Sequence, residues 1–264
     1  MKSVIAQTIS AAVDSTKTAH PAAALVISDD PRIVSGHPVR QGPQRFGNLN
    51  SVLVWNPEAL DGPRSNCAWD LLGGITEAAD ADRIANFLLS TVLDNRLASF
   101  FVPEASLLVA NMLLAAAQGD RTFGEVLDWV SAETTAPARE LLVTHSEADA
   151  HADMLAFDAQ DDITRGSVWE TAQMALQPLN FGPVLDAVCR AGDGRVSMAA
   201  PFAALHSDAA QSPASATVYV LRSQFSPFRG LAEALVDELL RVASAHSTRT
   251  NVLEFNTYGS DRSC

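Results

Sequence analysis

Lysine is nearly missing from this sequence of 264 residues, which contains only Lys2 and Lys17, so arginine carries almost all of its positive charge. Lysine and arginine together number 18 against 31 aspartates and glutamates, which gives a net charge of −13. Binding nucleic acid across a broad face requires a basic surface that contacts the phosphates. The composition therefore argues against direct nucleic-acid binding, whereas a basic protein partner would be attracted to the chain.

Cysteine is scarce as well, with single residues at Cys67, Cys189 and Cys264. Their odd number and the lack of any C-x-x-C spacing argue against a zinc site and against a disulfide framework. We therefore predict no metal site. So little cysteine is typical of a protein in a reducing compartment.

No long uninterrupted apolar run is present. The most apolar window, 100–118, contains Pro103, Glu104 and Asn111, which argues against a membrane span. The first residues, MKSVIAQTIS, do not continue into the apolar core of a signal peptide. We predict a cytoplasmic chain that reaches the inner face of the membrane only through partner proteins.

Short apolar runs predict three strands. AAALVIS at 22–28 and SVLVWNP at 51–57 are each closed by turn residues, and ATVYVLRS at 216–223 has a similar composition. Such continuous apolar runs, rich in branched residues, are typical of strands buried on both faces of a parallel sheet. Together with a predicted helix over 3–13, they indicate an α/β fold.

The middle of the chain has the apolar spacing of helices. Capping boxes of the form S/T-x-x-E predict helix starts at Thr122 and at Ser167. The predicted helices lie at 81–95, 104–118, 123–130, 136–142, 169–176 and 230–246.

These patterns divide the chain into three segments: an α/β segment over 1–75, an all-α segment over 76–205, and a return to the sheet with a C-terminal tail over 206–264. The tail shows only one short apolar stretch. No internal repeat is visible.

Six segments, in this order, resemble the type IV coupling proteins of conjugation, the TraG/TraD class of P-loop ATPases. They are V-W-N-P at 54–57, A-W-D-L-L at 68–72, the apolar hairpin at 104–130, R-G-S-V-W-E-T-A-Q-M-A-L-Q-P-L at 165–179, A-T-V-Y-V-L at 216–221 and the helix at 230–246. Two departures stand out, because Asn56 replaces the family's aspartate and Leu72 replaces its proline.

This resemblance implies a partial RecA-like P-loop NTPase sheet interrupted by a large all-α insertion. In the family the all-α domain is implicated in recognising the relaxosome, the DNA-processing complex to be exported. The resemblance therefore implies a module that binds relaxosome or type IV secretion proteins. It also implies a hexamer, although a partial sheet makes hexamers doubtful.

The glycine-rich loop G-x-x-x-x-G-K-[ST], which cradles phosphates and Mg²⁺ in this family, does not occur in the sequence. Lys2 and Ser3 stand where the end of that loop would lie, and we interpret them as a nucleotide-binding remnant. The family's acidic Asp-Glu strand is also missing, since 251–261 offers only Glu254 within its apolar stretch. The chain thus resembles a coupling protein truncated at both ends.

We accordingly predict no catalytic residue, no bound cofactor and no ATPase activity for the chain alone. ATP and Mg²⁺ would be used only if the missing motifs came from elsewhere. The alternative is part of an active DNA-transfer motor whose P-loop and acidic strand are supplied by flanking or partner sequence. A third alternative, an unrelated small-molecule enzyme, would need a catalytic pocket for which the sequence shows no motif.

Other clusters have simpler interpretations. HSEADAHADM at 145–154 offers His and acidic side chains, but in half-pairs without a third ligand, so we expect a solvated surface. The stretch 133–162 holds eight acids against Arg139, which suggests either a solubilising face or a surface for a basic partner. We expect Cys67 to be inert, and core packing for the four tryptophans, Trp55, Trp69, Trp129 and Trp169.

Overall fold

The computed structural model describes residues 22–36, 51–58, 63–93, 95–96, 98–188, 196–197, 216–222, 226–245 and 249–255. The predicted helix over 3–13 lies outside these residues. The chain forms two compact units. The sheet unit comprises Met1–Trp69, Arg190–Ser226 and Leu235–Cys264, and the helical unit comprises Asp70–Cys189 and Pro227–Ala234. The segment bounds predicted from the sequence stay a prediction.

The sheet unit contains a parallel sheet of four strands in the order β2-β5-β1-β6. Its strands are β1 (Ala22–Ser28), β2 (Ser51–Trp55), β5 (Ala216–Leu221) and β6 (Arg249–Phe255), and a short parallel pair is formed by β3 (Cys67–Ala68) and β4 (Val196–Ser197). The three predicted strands and the parallel α/β fold class are confirmed. β5 lies between β1 and β2, although both of those strands precede it by more than a hundred residues.

The sheet forms because its central strands can be buried on both faces. Successive side chains of a strand point to opposite faces, and Leu25 and Val26 are both fully buried, as are Leu53 and Val54. One face gathers a cluster of Val26, Val34, Val52, Val54, Tyr219 and Leu221. Burying apolar side chains at both faces is the main stabilising term of such a sheet.

The tail, which shows only one short apolar stretch in the sequence, contributes a strand to the sheet. β6 pairs with β1 over seven residues, from Ala22 with Arg249 to Ser28 with Phe255. The sequence RTNVLEF interrupts its apolar residues with polar ones, so it lacks the continuous apolar run that marked the other strands. A strand at the end of the sheet order needs less burial, and its pairing depends on the main chain of β1.

The helical unit is built from seven helices and part of an eighth. They are α1 (Ala78–Leu89), α2 (Ala98–Gln118), α3 (Phe123–Ser131), α4 (Ala136–Thr144), α5 (Ala148–Asp158), α6 (Asp162–Leu176), α7 (Gly182–Ala187) and α8 (Arg229–Ala245), with 3-10 turns at Ser90–Val92 and Gln177–Leu179; a further 3-10 turn, Pro31–Gly36, belongs to the sheet unit. All of the predicted helices in the described residues are present. The last part of α8 belongs to the sheet unit.

The central helix is α2, which packs against α1, α4 and α6. It begins at Ala98 and not at 104, with Pro103 inside it. Pro103 lies in the second turn of α2, where it has no N–H to bond the carbonyl of Ser99 and its ring crowds that carbonyl, and the helix accepts this cost. From Leu108 to Ala116 every residue of α2 is buried, as expected for a helix that is apolar all round.

By length and composition, α2 is also the one helix among the described residues that could cross a membrane. Two thirds of its most apolar window, 67%, is buried inside the protein. The core helix of a globular unit has the same properties, so this observation is weak evidence for a span.

One of the two predicted capping boxes, the one at Thr122, is present at the start of α3. Thr122 accepts a hydrogen bond at Oγ1 from the N–H of Glu125, and Glu125 accepts one from the N–H of Thr122 at 2.8 Å. This second bond is the main cause of the lowered pKa of Glu125. A carboxylate with a lowered folded-state pKa adds stability above its unfolded-state pKa, which is lost as the pH falls through the folded-state value.

The predicted box at Ser167 was wrong. The N-cap of α6 lies six residues earlier, at Asp161, which accepts hydrogen bonds from the N–H groups of Ile163 and Thr164 at 3.1 and 3.0 Å. Ser167 lies within the helix and donates its hydroxyl to the carbonyl of Ile163. Aspartate is as good an N-cap as serine, and a serine inside a helix bonds back to residue i−4.

Three consecutive helices end in a left-handed residue that is not glycine. Asp120, Glu133 and Ser146 have φ values of 56°, 52° and 64°. Each permits the following N–H to bond a carbonyl five residues back, as from Glu147 to Leu142 at 2.9 Å. The fold therefore accepts strain at three helix ends where glycine would be free of it.

Replacing Ser146 by glycine is expected to raise the free energy of unfolding by about 0.5–1 kcal/mol, because the left-handed conformation then carries no Cβ penalty. Ser146 is exposed, so no packing is lost. Thermal unfolding followed by circular dichroism measures the change. Ser146→Ala, which keeps a Cβ, should give no gain, and equal stabilisation by both variants would contradict this explanation.

Candidate functional site

The predicted nucleotide-binding remnant, Lys2 and Ser3, lies outside the described residues. The strand ends of the sheet unit, where a ligand would be expected, lie within the described residues. In open parallel sheets, ligands bind beyond the carboxyl ends of the strands. Here those ends carry Ser28, Asn56, Arg222 and Glu254.

The guanidinium groups near this edge are paired with carboxylates. Arg32 contacts Asp30 through Nε and Nη2 at 2.7 and 2.8 Å, and this hydrogen bonding raises the pKa of Arg32. Nη2 of Arg222 lies 3.1 Å from Oε1 of Glu254. An arginine already held by a carboxylate is a poorer ligand for a phosphate, because binding must first break that pair.

Asn56, which replaces the family's aspartate, has a structural role in the described residues. It is buried, its amide donates to the carbonyl of Pro63 at 3.0 Å, and its N–H donates to Oγ of Ser65 at 2.8 Å. These bonds fix the loop that leads from β2 to β3. A carboxylate at this position could not donate to the Pro63 carbonyl.

The strongest electrostatic feature belongs to the helical unit. Residues 70–189 contain 19 acidic and 5 basic side chains, a net charge of −14. The remainder of the chain contains 12 acidic and 13 basic side chains and is nearly neutral. The acidity of the protein is thus concentrated in its helices.

The acids of 133–162 fall into two groups. Five are held by neighbouring side chains: Glu133 by Gln173, Glu147 by Gln118, Asp158 by Thr135 and Arg139, Asp161 by Thr164, and Asp162 by Arg165. The other three, Glu140, Asp149 and Asp153, are exposed and have no side-chain partner among the described residues. Asp149 and Asp153 are four residues apart on α5 and so share one side of it.

The structure weakens the metal interpretation of 145–154. His145 is the C-cap of α4 and Asp149 belongs to α5, so these two lie on different helices, whereas Glu147, the N-cap of α5, and His151 lie one turn apart on α5. Within the described ranges, no three His, Cys, Asp or Glu side chains come together as a metal site would require. Residues 145–147 form the turn between α4 and α5, and 148–154 belong to α5.

The tryptophans are core residues, as predicted. Trp55, Trp69, Trp129 and Trp169 are all buried, and Trp169 packs edge to face against Phe157 at 5.4 Å. Cys67 is buried as well and its thiol donates to the carbonyl of Val54. Burial raises the pKa of the Cys67 thiol, which disfavours the reactive thiolate.

Sequence reasoning missed the role of Asn66. Its Oδ1 accepts from the N–H of Val54 at 2.8 Å, and its Nδ2 donates to the carbonyl of Val52 at 3.0 Å. The N–H of Asn66 also donates to the carbonyl of Val54. The side chain therefore takes the place of a neighbouring strand along the outer edge of β2. An asparagine just before Cys67-Ala68 was the only available signal.

Comparisons with known proteins give limited matches. No family model matches the sequence. No curated protein matches it. Among solved structures, the chain is similar to "Plasmid coupling protein TrwB in complex with the non-hydrolysable GTP analogue GDPNP", with a TM-score of 0.48 and 13% identity over 92% of this chain and 65% of that one.

It is also similar to "Bacterial conjugative coupling protein TrwBdeltaN70" in its unbound form, with a TM-score of 0.48 and 14% identity over 90% of this chain and 62% of that one. The chain spans less than two thirds of the length of either structure. Both structures are of a conjugative coupling protein, the class of protein that the sequence motifs resemble.

Proposed function

We propose that the chain is a coupling-protein-like component of conjugative type IV secretion whose helical unit binds a basic region of a relaxosome or secretion protein. The observation that carries this proposal is the concentration of negative charge in residues 70–189. Within 133–162, Glu140, Asp149 and Asp153 are the acids that no described side chain holds, so they can pair with a partner without breaking an existing contact. The order of the six sequence motifs supplies the class of process.

Charge of one sign on a rigid surface favours association with a partner of the opposite sign, mainly by raising the association rate and excluding wrong partners. Carboxylates without internal partners are the ones that gain most, since no existing pair must be broken. Val143 and Leu155 are exposed on the same two helices, α4 and α5, and would give a partner apolar area as well.

The test is binding to a purified relaxase of a conjugative system, measured with the purified full chain. Changing Glu140, Asp149 and Asp153 to lysine is expected to weaken binding by about tenfold or more, since each charge pair contributes on the order of 1 kcal/mol. The matched control changes Glu77, Asp82 and Glu104, three other exposed acids of the helical unit, to lysine. Equal loss in both variants would show a response to net charge and would contradict a defined surface.

We further propose that the chain does not hydrolyse ATP by itself. Phosphoryl transfer requires groups that neutralise charge on the transferred phosphoryl, and this sequence has neither the glycine-rich loop nor an Asp-Glu pair at the end of an apolar strand. Purified chain incubated with ATP and Mg²⁺ should release phosphate no faster than a blank. Turnover by the chain alone would refute this, and turnover only after adding a P-loop polypeptide would favour the motor alternative.

A further inference from the structure

A short segment that follows β2, residues 65–67, runs along the outer edge of that strand, and we call it the strap. The Asn66 amide accepts from the N–H of Val54 at 2.8 Å and donates to the carbonyl of Val52 at 3.0 Å. The carbonyl of Val54 accepts from the N–H of Asn66 and from the thiol of Cys67, both at 3.1 Å. The strap thus holds main-chain groups of β2 at several points.

The strap reaches alternate residues of the chain along this edge. Ser65 accepts at Oγ from the N–H of Asn56 at 2.8 Å. The N–H and carbonyl of one strand residue point to the same neighbour, and those of the next residue point to the opposite one. The groups that the strap holds are therefore those that face away from β5, from Val52 to Asn56.

These outward groups are the ones that a further strand would need. An open strand edge presents a row of N–H and carbonyl groups with which other chains can pair, and proteins usually block it. The sequence of β2, SVLVW, contains neither proline nor a charged residue. Short segments of high β propensity without charge or proline are also those that stack in aggregates. β2 is therefore a strand whose edge is hazardous when open.

We propose that the strap keeps the sheet from extending at β2 and so prevents aggregation through this strand. Among the described residues, one main-chain hydrogen bond joins the strap to β2, from Asn66 to Val54. β3, which begins at Cys67, pairs with β4 in a separate sheet. A full strand in this place would present a new row of main-chain groups on its own far side, whereas bonds from side chains end the row at β2.

Asparagine suits this role because its amide offers an acceptor and a donor side by side. Val52 needs a donor for its carbonyl and Val54 needs an acceptor for its N–H, and one amide supplies both. Replacing Asn66 by alanine removes both bonds and leaves the two groups open to another strand.

The experiment compares the aggregation of Asn66→Ala with that of Leu53→Ala, each in the full chain. Leu53 is fully buried in the same strand, so its truncation leaves a cavity that lowers stability while the strap bonds are kept. Denaturation curves identify, for each variant, the temperature at which the same fraction of the protein is unfolded. Light scattering and thioflavin T fluorescence then measure aggregation at that temperature and at equal protein concentration.

We expect Asn66→Ala to aggregate faster than Leu53→Ala by about tenfold or more, with the thioflavin signal of stacked strands. Equal rates would show that aggregation follows the unfolded fraction alone, and would overturn the proposal. Faster aggregation of Asn66→Ala without a thioflavin signal would show contact of a kind other than strand pairing, and would overturn it as well.

Hydrogen exchange in the wild-type chain tests the strap even if Asn66→Ala does not fold. The amides of Leu53 and Trp55 face β5, whereas those of Val54 and Asn56 face outward and have only strap side chains as partners among the described residues. We expect all four amides to be protected to a similar degree, because an amide exchanges slowly only while its hydrogen bond is kept. Fast exchange at Val54 and Asn56 alone would show an open edge and would overturn the proposal.

Discussion

Replacing Gly230 by alanine is expected to lower the free energy of unfolding of the helical unit by about 3 kcal/mol or more. A Cβ on Gly230 would lie 2.2 Å from the carbonyl oxygen of Phe87 and 3.3 Å from Cα of Leu88. These are main-chain atoms of α1, which cannot rotate away as a side chain can. The start of α8 must then move off α1, and closely packed interiors resist such shifts. Chemical denaturation monitored by circular dichroism measures the loss.

The matched control is Gly166→Ala. Gly166 lies within α6, and a Cβ there would meet nothing within 4 Å. Alanine is the better helix former by about 1 kcal/mol, so this variant should be more stable than the wild type. Opposite signs for the same chemical change would identify close helix approach as the reason for Gly230. A Gly230→Ala protein as stable as the wild type would show that α8 does not approach α1 this closely.

Features encoded by local pattern were predictable from the sequence. β1 and β5 are continuous apolar runs, and the T-x-x-E box at Thr122 is a local hydrogen-bonding unit that forms wherever a helix can begin there. The same local logic failed at Ser167, because the S-x-x-E pattern does not reveal that Asp161 caps the helix earlier. A motif indicates a start that can form and does not exclude a better one nearby.

Features that depend on contacts between distant segments were not predictable. β6 is a strand because β1 lies beside it in register, and its own composition is mixed. Glycine is required at 230 because a Cβ there would clash with the main chain of α1, more than 140 residues earlier in the chain. In both cases the neighbouring sequence does not identify the distant segment, β1 or α1, that makes the contact. Tertiary pairing overrides local propensity at such positions.

The candidate site shows the same division. The acidity of 133–162 is visible in composition, but composition treats its eight acids alike. Only the structure separates Glu140, Asp149 and Asp153 from the five that hold neighbouring side chains. It depends on contacts with Gln118, Arg139 and Gln173, which lie on other helices or other turns than the acids they hold. Composition therefore suggests a basic partner, and only the structure indicates which acids could contact one.

Replacing Asn66 by alanine is expected to lower stability by about 2–4 kcal/mol, since an unsatisfied buried polar group costs on the order of 1–3 kcal/mol. The change leaves the N–H of Val54 and the carbonyl of Val52 without their side-chain partner, and both valines are buried. Denaturant unfolding measures the loss when it is followed by tryptophan fluorescence, to which Trp55 of β2 contributes. Asn180→Ala is the control, because Asn180 is exposed and should change stability by less than about 0.5 kcal/mol.

Asn66→Asp separates the two hydrogen bonds of the amide. A carboxylate still accepts from the N–H of Val54, but it places a negative charge against the carbonyl of Val52, which only a donor can satisfy. Repulsion from that carbonyl should raise the pKa of the new Asp above its unfolded value. A group with a raised folded-state pKa is most destabilising when ionised, so the variant should be least stable at neutral pH and recover as the pH falls through that pKa. The loss of unfolding free energy in Asn66→Asp relative to the wild type should shrink between pH 7 and pH 4. If it does not, the hydrogen bond from Asn66 to the carbonyl of Val52 contributes nothing to the stability of the outer edge of β2.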